Sequence, residues 1–390
     1  MANQSERAEA PPKSTVADGI SGIARELKRL DAPLGFGVWD LQTADRRGEA
    51  MNALKGTGGQ PKHLKDGYQY VGGFPSHRWR VATTDEHYRT LNYGISQFPR
   101  TWHPVRDALD QAYHYVSIGP GTGEKDRIVL RHLQSMASDE TVVYVPIDIS
   151  GDLLRIGLDT ALRDIDDDRV EVLPIELDIT DAEALQGLKI IIHELTGDSP
   201  VLYSLLGNTL ANFSDDRRML NQITELLASP QDRLFLELAT TREANPKLAE
   251  QAASEYEGSR TFRDFATAAL HEYTDLPSGF GTVHPTAEII DDDQVLRITT
   301  HLIADKTLQV SVKDGDDFKL SKGELIELYI SRKYTPDALD QLCAGLSRVA
   351  SGRQGFRKGG FGIAMELLSV AGVGNTKKAL HPVAGSGAEG

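Results

Sequence analysis

The chain has 390 residues, of which 40% are hydrophobic and 25% charged, so it can form a large core and two domains of an ordinary globular protein. Its formal net charge of −15 argues against a nucleic-acid partner, since phosphate recognition needs a basic face and no basic run of any length is present. No apolar run could span a bilayer and the polar N-terminus lacks the apolar segment of a signal peptide, so we expect a cytoplasmic protein without a membrane partner.

The N-terminal part of the chain shows few regular patterns. Residues 1–18 are polar and contain proline, which predicts disorder. Residues 19–31 carry apolar side chains at helical spacing and are predicted to form a helix. Residues 48–73 are rich in Gly, Lys and Asp without periodicity, which indicates a long loop or a mobile flap. The aromatic-rich segment 85–114 is expected to form short helices that lead into the first strand.

From residue 115 to residue 241, strand and helix patterns alternate along the chain. The predicted strands are 115–118, 142–147, 170–175, 200–206 and 233–238, and the helices lie near 124–136, 151–163, 181–196 and 214–228. Such alternation predicts an α/β fold, in which crossover helices cover a doubly wound, mostly parallel, Rossmann-like sheet.

After residue 241 the alternation stops, which indicates a second, smaller α+β domain. Residues 243–270 are predicted to be helical. Three segments alternate apolar and polar residues, as in an antiparallel sheet with one wet face: 282–290, 295–303 and 307–312. The remaining predictions are a helix or strand over 318–333, a helix over 335–350, a strand over 360–370 and a flexible tail over 372–390.

The most informative stretch is the turn between the first predicted strand and the helix after it. Gly119, Gly121 and Gly123 follow the strand at once, and a strand, a glycine-rich turn and a helix start form a nucleotide-binding corner. Glycine is needed because a side chain would stop the backbone from closing on a ligand. The spacing is tighter than in dinucleotide-binding turns, and no Gly-Lys-Ser or Gly-Lys-Thr completes a phosphate loop. This form is typical of proteins that bind S-adenosylmethionine.

Polar side chains follow the next three strands, where ligands of an open parallel sheet bind. Asp148 ends the second strand and is a candidate for the ribose hydroxyls, although it could instead cap the next helix, a role that Ser150 could also fill. Asp178 ends the third strand and is a candidate for the adenine amino group, with a helix cap again as the alternative. Asn208 and Asn212 follow the fourth strand and are candidates for substrate binding or for a backbone turn.

Other reactive residue types show no functional pattern. The eleven histidines have no metal-ligand spacing, so no metal site is predicted. The single cysteine, Cys343, excludes an internal disulfide and lies in an apolar pattern that indicates packing.

With these motifs in place, the chain resembles the S-adenosylmethionine-dependent histidine Nα-methyltransferases of ergothioneine biosynthesis. The resemblance spans roughly residues 85–370. It is carried by Gly119-Pro-Gly-Thr-Gly-Glu-Lys125, Pro146-Ile-Asp148-Ile-Ser150, Leu177-Asp178-Ile179, Leu206-Gly-Asn-Thr-Leu-Ala-Asn-Phe213, Ile330-Ser-Arg-Lys-Tyr334 and Gly360-Phe-Gly-Ile-Ala-Met365.

The resemblance implies a methyltransferase domain and a second domain that closes over an amino-acid substrate. The implied division is residues 19–100 plus 241–332 for the substrate-binding lid domain and 101–240 plus 333–371 for the cofactor domain. The implied cofactor-binding residues are Gly119, Gly121 and Lys125 at the methionine end, Asp148 at the ribose, and Asp178 with Ile179 at the adenine. The implied substrate-binding residues are Phe98, Gly207, Asn212, Tyr329 and Ser331.

One position departs from the family. The family holds the imidazole ring of its substrate with a glutamate two residues before a serine. Here the serine is matched by Ser331 and the earlier position is Tyr329, which cannot supply a carboxylate. The departure predicts a change of substrate, so that an aromatic or other amino acid, or an amine, becomes a candidate beside histidine.

The sequence therefore predicts an S-adenosylmethionine-dependent methyltransferase that acts on a nitrogen of an amino acid or a related small molecule. The alternatives are transfer to another atom, transfer of another group of the cofactor, or a non-catalytic adenosyl-binding module. A nicotinamide-dependent oxidoreductase is a further alternative. The sequence does not identify catalytic residues, the number of methyl groups transferred or the oligomeric state.

Overall fold

A computed structural model describes residues 38–41, 46–56, 60–138, 140–290, 294–313, 315, 317–355 and 360–370 of the chain. The predictions of disorder over 1–18, a helix over 19–31 and a flexible tail over 372–390 lie outside these residues.

The described residues form helices and strands that alternate in the middle of the chain. The α-helices are α1 (Arg46–Lys55), α2 (Gly73–Ala82), α3 (Arg89–Arg106), α4 (Glu124–Met136), α5 (Gly151–Ala161), α6 (Ala182–Thr196), α7 (Asp216–Thr224), α8 (Pro246–Gly258), α9 (Arg260–Ala266), α10 (Ala268–Tyr273) and α11 (Pro336–Leu342). The strands are β1 (Trp39–Asp40), β2 (Lys62–His63), β3 (His114–Ile118), β4 (Val142–Asp148), β5 (Val170–Val172), β6 (Ile175–Glu176), β7 (Val201–Leu205), β8 (Arg233–Thr241), β9 (Thr282–Ile290), β10 (Val295–Ile303), β11 (Leu308–Val310), β12 (Phe318–Leu320), β13 (Leu325–Tyr334), β14 (Leu346–Gly355) and β15 (Phe361–Val370). Short 3₁₀ turns occupy Tyr68–Tyr70, Asp167–Arg169 and Thr209–Asn212.

The central sheet is mostly parallel and doubly wound, as predicted. Its strands follow the order β1-β6-β4-β3-β7-β8, and all of these pairs are parallel. Strand β15 adds to β8 in the antiparallel direction, and β14 pairs with β15. The chain runs outward from β3 in one direction to β4 and β6, and in the other to β7 and β8. An open sheet has its ligand crevice where the winding reverses, at the carboxyl ends of these strands.

Alternate residues of each central strand enter two different hydrophobic layers, because successive side chains of a strand point to opposite faces. Val116 of β3 lies in the layer formed with α6, α7 and α11, whereas its neighbour Tyr115 lies in the layer formed with α3, α4 and α5. Both side chains are almost completely buried. Cys343 packs in the first of these layers, which confirms the packing role predicted for it.

A second region, residues 46–88 together with 246–330 as far as they are described, has its own hydrophobic cluster. Its strands β9, β10 and β13 form an antiparallel unit, to which β2 adds in parallel. The end of β13 pairs with the end of β8 at Tyr334 and Thr240, so the two sheets are continuous. The α+β character predicted for this region is present, and the exact domain division stays a prediction.

Several predicted elements need correction. Residues 48–73 are not a structureless loop, because they contain most of α1, strand β2 and a 3₁₀ turn. Residues 85–114 contain one long helix, α3, with Pro99 and Pro104 inside it. The third predicted strand is divided into the two short strands β5 and β6. Residues 318–333, predicted as a helix or strand, form β12 and most of β13.

The prediction of a helix over 335–350 is wrong in its second half, which forms part of strand β14. Helix α11 begins after Thr335, whose side chain caps it, and it ends at Leu342. From Leu346 the chain is extended and pairs with β15, and Arg348 donates to the buried carboxylate of Glu366 at 2.6 Å. Pairing with the far end of the chain overrides the local helical pattern.

Candidate functional site

A cleft of about 1010 Å³, part of it open to solvent, lies at the carboxyl ends of β3, β4, β6 and β7. The sequence-predicted residues that line it are Gly119, Gly121, Lys125, Asp148, Asp178, Ile179, Gly207 and Asn212. Phe98, Tyr329 and Ser331 do not line it. Residues far apart in the chain therefore meet in one cleft because each follows a strand of the same parallel sheet.

The glycine corner closes tightly onto the neighbouring helix. Gly119, Gly121 and Gly123 all have positive φ angles, a conformation that glycine adopts without steric cost. A β-carbon on Gly123 would lie 2.1 Å from the carbonyl oxygen of Gly157 in α5. Only glycine fits here, and the backbone of this turn forms one wall of the cleft.

Lys125 forms a buried ion pair at the base of the cleft. Its Nζ lies 2.5 Å from Oε2 of Glu237, and the same oxygen accepts the backbone N–H of Gly207 at 2.8 Å. Both charged side chains are at least nine-tenths buried. Nζ also lies 5.6 Å from the ring centre of Phe98, a fully buried residue. Phe98 therefore packs beneath Lys125, away from the cleft.

Asp148 is a buried carboxylate at the end of β4. Burial raises its pKa to about 7, and the nearby Glu176 carboxylate adds to the rise, while the N–H of Ser150 donates to Oδ1 at 3.0 Å and opposes it. Ser150 caps α5 by accepting the N–H of Leu153. The cap is therefore supplied by Ser150, as anticipated, and Asp148 lines the cleft.

The two carboxylate oxygens of Asp178 have different partners. Oδ1 accepts both the N–H of Thr180 at 2.9 Å and its hydroxyl at 2.5 Å. Oδ2 is buried and forms an ion pair with Lys65, whose Nζ lies 3.3 Å away. The cap of α6 is Asp181. A carboxylate oxygen in an ion pair can accept a further hydrogen bond, which suits a ligand that brings an N–H group.

The opposite end of the cleft carries a hydrogen-bonded chain of phenols around Asn212. The hydroxyl of Tyr329 donates to Oδ1 of Asn212 at 3.0 Å, and Nδ2 of Asn212 donates to the hydroxyl of Tyr70 at 3.4 Å. The hydroxyl of Tyr88 lies 3.4 Å from that of Tyr329. Tyr70 and Asn212 line the cleft, whereas Tyr329 is buried behind them.

Ser331 and Asn208 have structural contacts. Nδ2 of Asn208 donates to the Ser331 hydroxyl at 3.1 Å, and Oδ1 of Asn208 accepts the N–H of Ala239 at 2.8 Å. Asn208 has a φ angle of 67°, which agrees with the alternative that it serves a backbone turn.

Sequence analysis missed the residues that the second region contributes to the cleft. They include Asp66, Tyr70, Trp79 and Thr83. Asp66 accepts the N–H and the hydroxyl of Ser214, both at 2.8 Å, and burial raises the pKa of its carboxyl. These contacts join positions more than a hundred residues apart, so local sequence patterns do not predict them.

Neither a metal centre nor a membrane helix is evident in the part of the chain that the structure describes. No group of three or more His, Cys, Asp or Glu side chains there is arranged to hold a metal ion. None of the helices described has the length and apolar character needed to cross a bilayer.

The chain matches, over residues 53–351, the family model described as histidine-specific, S-adenosylmethionine-dependent methyltransferase. Among solved structures it is similar to the CcbJ methyltransferase from Streptomyces caelestis, with 16% identity, 72% of this chain and 90% of that chain covered, and a TM-score of 0.33. It is also similar to the N-methyltransferase NodS from Bradyrhizobium japonicum WM9, with 7% identity, 77% and 100% covered, and a TM-score of 0.36. A third similar structure is magnesium protoporphyrin IX methyltransferase from Synechocystis PCC 6803, with 12% identity, 78% of this chain and 91% of that chain covered, and a TM-score of 0.33. No curated protein sequence matches the chain significantly.

Proposed function

This chain belongs to the histidine-specific, S-adenosylmethionine-dependent methyltransferase family, and we propose that it methylates a nitrogen of an aromatic amino acid or a related small molecule. The methyltransferase activity and the cofactor follow from the family. The acceptor and the roles of individual residues are the proposal.

The cofactor residues of the proposal are those of the cleft beneath the glycine corner. Gly119 and Gly121 allow the backbone to approach the methionine part, and Lys125 adds a cation there. The carboxylate of Asp148 would accept hydrogen bonds from the ribose hydroxyls. Oδ2 of Asp178 would accept the adenine amino group, with Ile179 beside the ring. The observation that carries this assignment is that the buried carboxylates of Asp148 and Asp178 both line the cleft beside the glycine corner.

When bound, the cofactor supplies a methyl group on a positively charged sulfur, which is already activated for transfer to a nitrogen lone pair. The chain itself has to orient the acceptor and exclude water. Asn212 and Tyr70 would hold polar groups of the acceptor beside the cleft. Trp79 and Phe213 would cover it, since both line the cleft with aromatic surface. The acceptor nitrogen must release its proton so that its lone pair is free.

The acceptor side chain is expected to be aromatic or apolar. Tyr329 occupies the position at which the family binds the imidazole ring of its substrate. It therefore has a phenol where the family has a carboxylate. The rings of Tyr70 and Trp79, with centres 5.1 Å apart, both line the cleft, so this end offers aromatic walls. Burying an aromatic ring against such walls is favourable. The walls offer no specific hydrogen-bond acceptor to an imidazole N–H.

The proposal is tested by incubating the protein and S-adenosylmethionine with a panel of named acceptors. The panel is L-histidine, L-phenylalanine, L-tyrosine and L-tryptophan, each with its decarboxylated amine. Mass spectrometry of the products gives the number of methyl groups, and fragmentation distinguishes nitrogen from the tyrosine oxygen. We expect at least one of the three non-histidine amino acids to have a higher kcat/KM than L-histidine. If L-histidine is the best acceptor, or if methyl groups reach only oxygen, the proposal is wrong.

A further inference from the structure

We propose that Tyr329 is a positioning residue, whose hydroxyl fixes the side-chain amide of Asn212 before an acceptor arrives. The contact at 3.0 Å joins strand β13 to the 3₁₀ turn that follows β7, between residues 117 positions apart. The kinetic part of the proposal rests on the proposed function, whereas its structural part does not.

Tyr329 is too enclosed to meet the acceptor itself. Only 4% of its surface is exposed, and it does not line the cleft. Its ring packs against Phe262 and Phe265, with ring centres 5.3 and 6.3 Å away, and against Tyr256 at 6.3 Å. The one polar atom of the side chain therefore contacts protein groups, among them Asn212 and Tyr88, and acts within the protein.

The direction of the hydrogen bonds determines what Asn212 can offer. The proton of Tyr329 is committed to Oδ1 of Asn212, so the hydroxyl of Tyr88 is left to donate to Tyr329. Nδ2 of Asn212 then donates to the hydroxyl of Tyr70, a residue that lines the cleft. Each member donates toward the cleft. The amide oxygen is occupied, and the amide N–H group is the part that can contact an acceptor.

A fixed amide favours acceptor binding because the side chain loses no rotational freedom when the acceptor arrives. Tyr329→Phe removes the hydroxyl and keeps the buried ring, so the amide of Asn212 loses its shorter hydrogen bond and keeps the longer one to Tyr70 at 3.4 Å. We expect the KM for the best acceptor among L-phenylalanine, L-tyrosine and L-tryptophan to rise about tenfold. We expect kcat and the Kd of S-adenosylhomocysteine to change less than about twofold, since the ribose and adenine ends of the cleft are untouched.

Tyr256→Phe is the matched control. Tyr256 belongs to the same aromatic cluster, and no hydrogen bond joins its hydroxyl to Asn212 in the described residues. We expect this variant to keep the wild-type KM. A rise in KM equal to that of Tyr329→Phe would mean that any loss of a phenol from the cluster has the same effect, and would overturn the proposal.

A double-mutant cycle decides whether Tyr329 acts through Asn212. In the Asn212→Ala background the Tyr329→Phe change should have almost no further effect on KM, because the group that it positions is gone. A tenfold effect that persists in this background would mean that Tyr329 contacts the acceptor directly, and the proposal would be wrong.

The same four proteins give a readout that needs no acceptor. Urea unfolding midpoints, measured with saturating S-adenosylhomocysteine, should be non-additive, because each single change breaks the same hydrogen bond. Additive midpoints would overturn the proposal. If no member of the acceptor panel is methylated, the proposed function fails, and this cycle still decides whether Tyr329 and Asn212 act together.

Discussion

Asp148 makes the affinity for the cofactor depend on pH in a direction that the structure determines. Burial raises the pKa of this carboxyl from its ordinary value near 3.8 to about 7. Below pH 7 the group is mostly neutral, and above pH 7 it is mostly a carboxylate. Ribose hydroxyls donate hydrogen bonds more strongly to a carboxylate than to a neutral acid. Cofactor affinity is therefore expected to fall as the pH falls through 7.

The size of the effect follows from the titration. With a pKa of about 7, the ionised fraction falls from about 0.9 at pH 8 to about 0.1 at pH 6. If the ionised form binds, the Kd of S-adenosylhomocysteine rises about tenfold over this range. The stability of the free protein changes in the opposite direction. Because the folded-state pKa is raised, the contribution of this group to stability is greatest below about pH 4 and is lost as the pH rises through 7.

Isothermal titration calorimetry with S-adenosylhomocysteine at pH 6, 7 and 8 measures the affinity. At pH 6.5 about 0.8 of a proton is bound to Asp148 in the free protein and has to be released, which two buffers of different ionisation enthalpy will detect. Asp148→Asn is the matched control. It should bind about tenfold or more weakly at pH 8, because charge-assisted hydrogen bonds are lost, and its affinity should be the same at pH 6 and pH 8.

The reasoning is refuted if the wild-type affinity is flat between pH 6 and pH 8. It is equally refuted if Asp148→Asn keeps the tenfold change, since another group would then be responsible. Asp126, whose pKa burial raises to about 6, is another buried carboxylate near the glycine corner. It accepts the hydroxyls of Tyr115 and Tyr144 and does not line the cleft, so we expect it to affect stability and not affinity.

Two further predictions concern the walls of the same cleft. Lys125→Met leaves the buried carboxylate of Glu237 without its cation and should lower the free energy of unfolding by about 3–5 kcal/mol, and Glu237→Gln in that background should recover most of the loss in urea unfolding. Wild-type stability in Lys125→Met would contradict this. Gly123→Ala brings a β-carbon to 2.1 Å from the oxygen of Gly157 at a positive φ angle, so it should lower Tm and abolish S-adenosylhomocysteine binding in calorimetry. Gly187→Ala, in open space on α6, is the control and should keep or raise Tm; equal behaviour of the two variants would refute the steric argument.

The cofactor side of the cleft was predictable because its residues occupy positions that the local pattern defines. Gly119, Asp148 and Asp178 each follow a buried strand, and carboxyl ends of parallel strands meet at one edge of a sheet. The sequence also indicated Asn212, for the same reason. Even the choice of Ser150 as the helix cap could be read locally, because a cap is a contact between residues three positions apart.

The acceptor side was predictable only in part, because its contacts join distant positions. Asp66 reaches Ser214 and Tyr70 reaches Asn212, with more than 140 residues between the partners. The Gly- and Lys-rich composition of residues 48–73 resembles that of a loop, and nothing local distinguishes a loop from a segment that another part of the chain orders. Tyr329 could be recognised as a departure from the family, but its burial behind Asn212 depends on the packing of three aromatic rings.

The two ends of the cleft are connected through the second region. The hydroxyl of Ser76 lies 2.9 Å from that of Ser150 and donates to the backbone oxygen of Tyr70 at 2.9 Å. Ser150 in turn donates its N–H to Asp148, and Tyr70 accepts from Asn212. Hydrogen bonds through the backbone and side chains of Ser150 and Tyr70 therefore connect the carboxylate proposed for the ribose with the amide proposed for the acceptor.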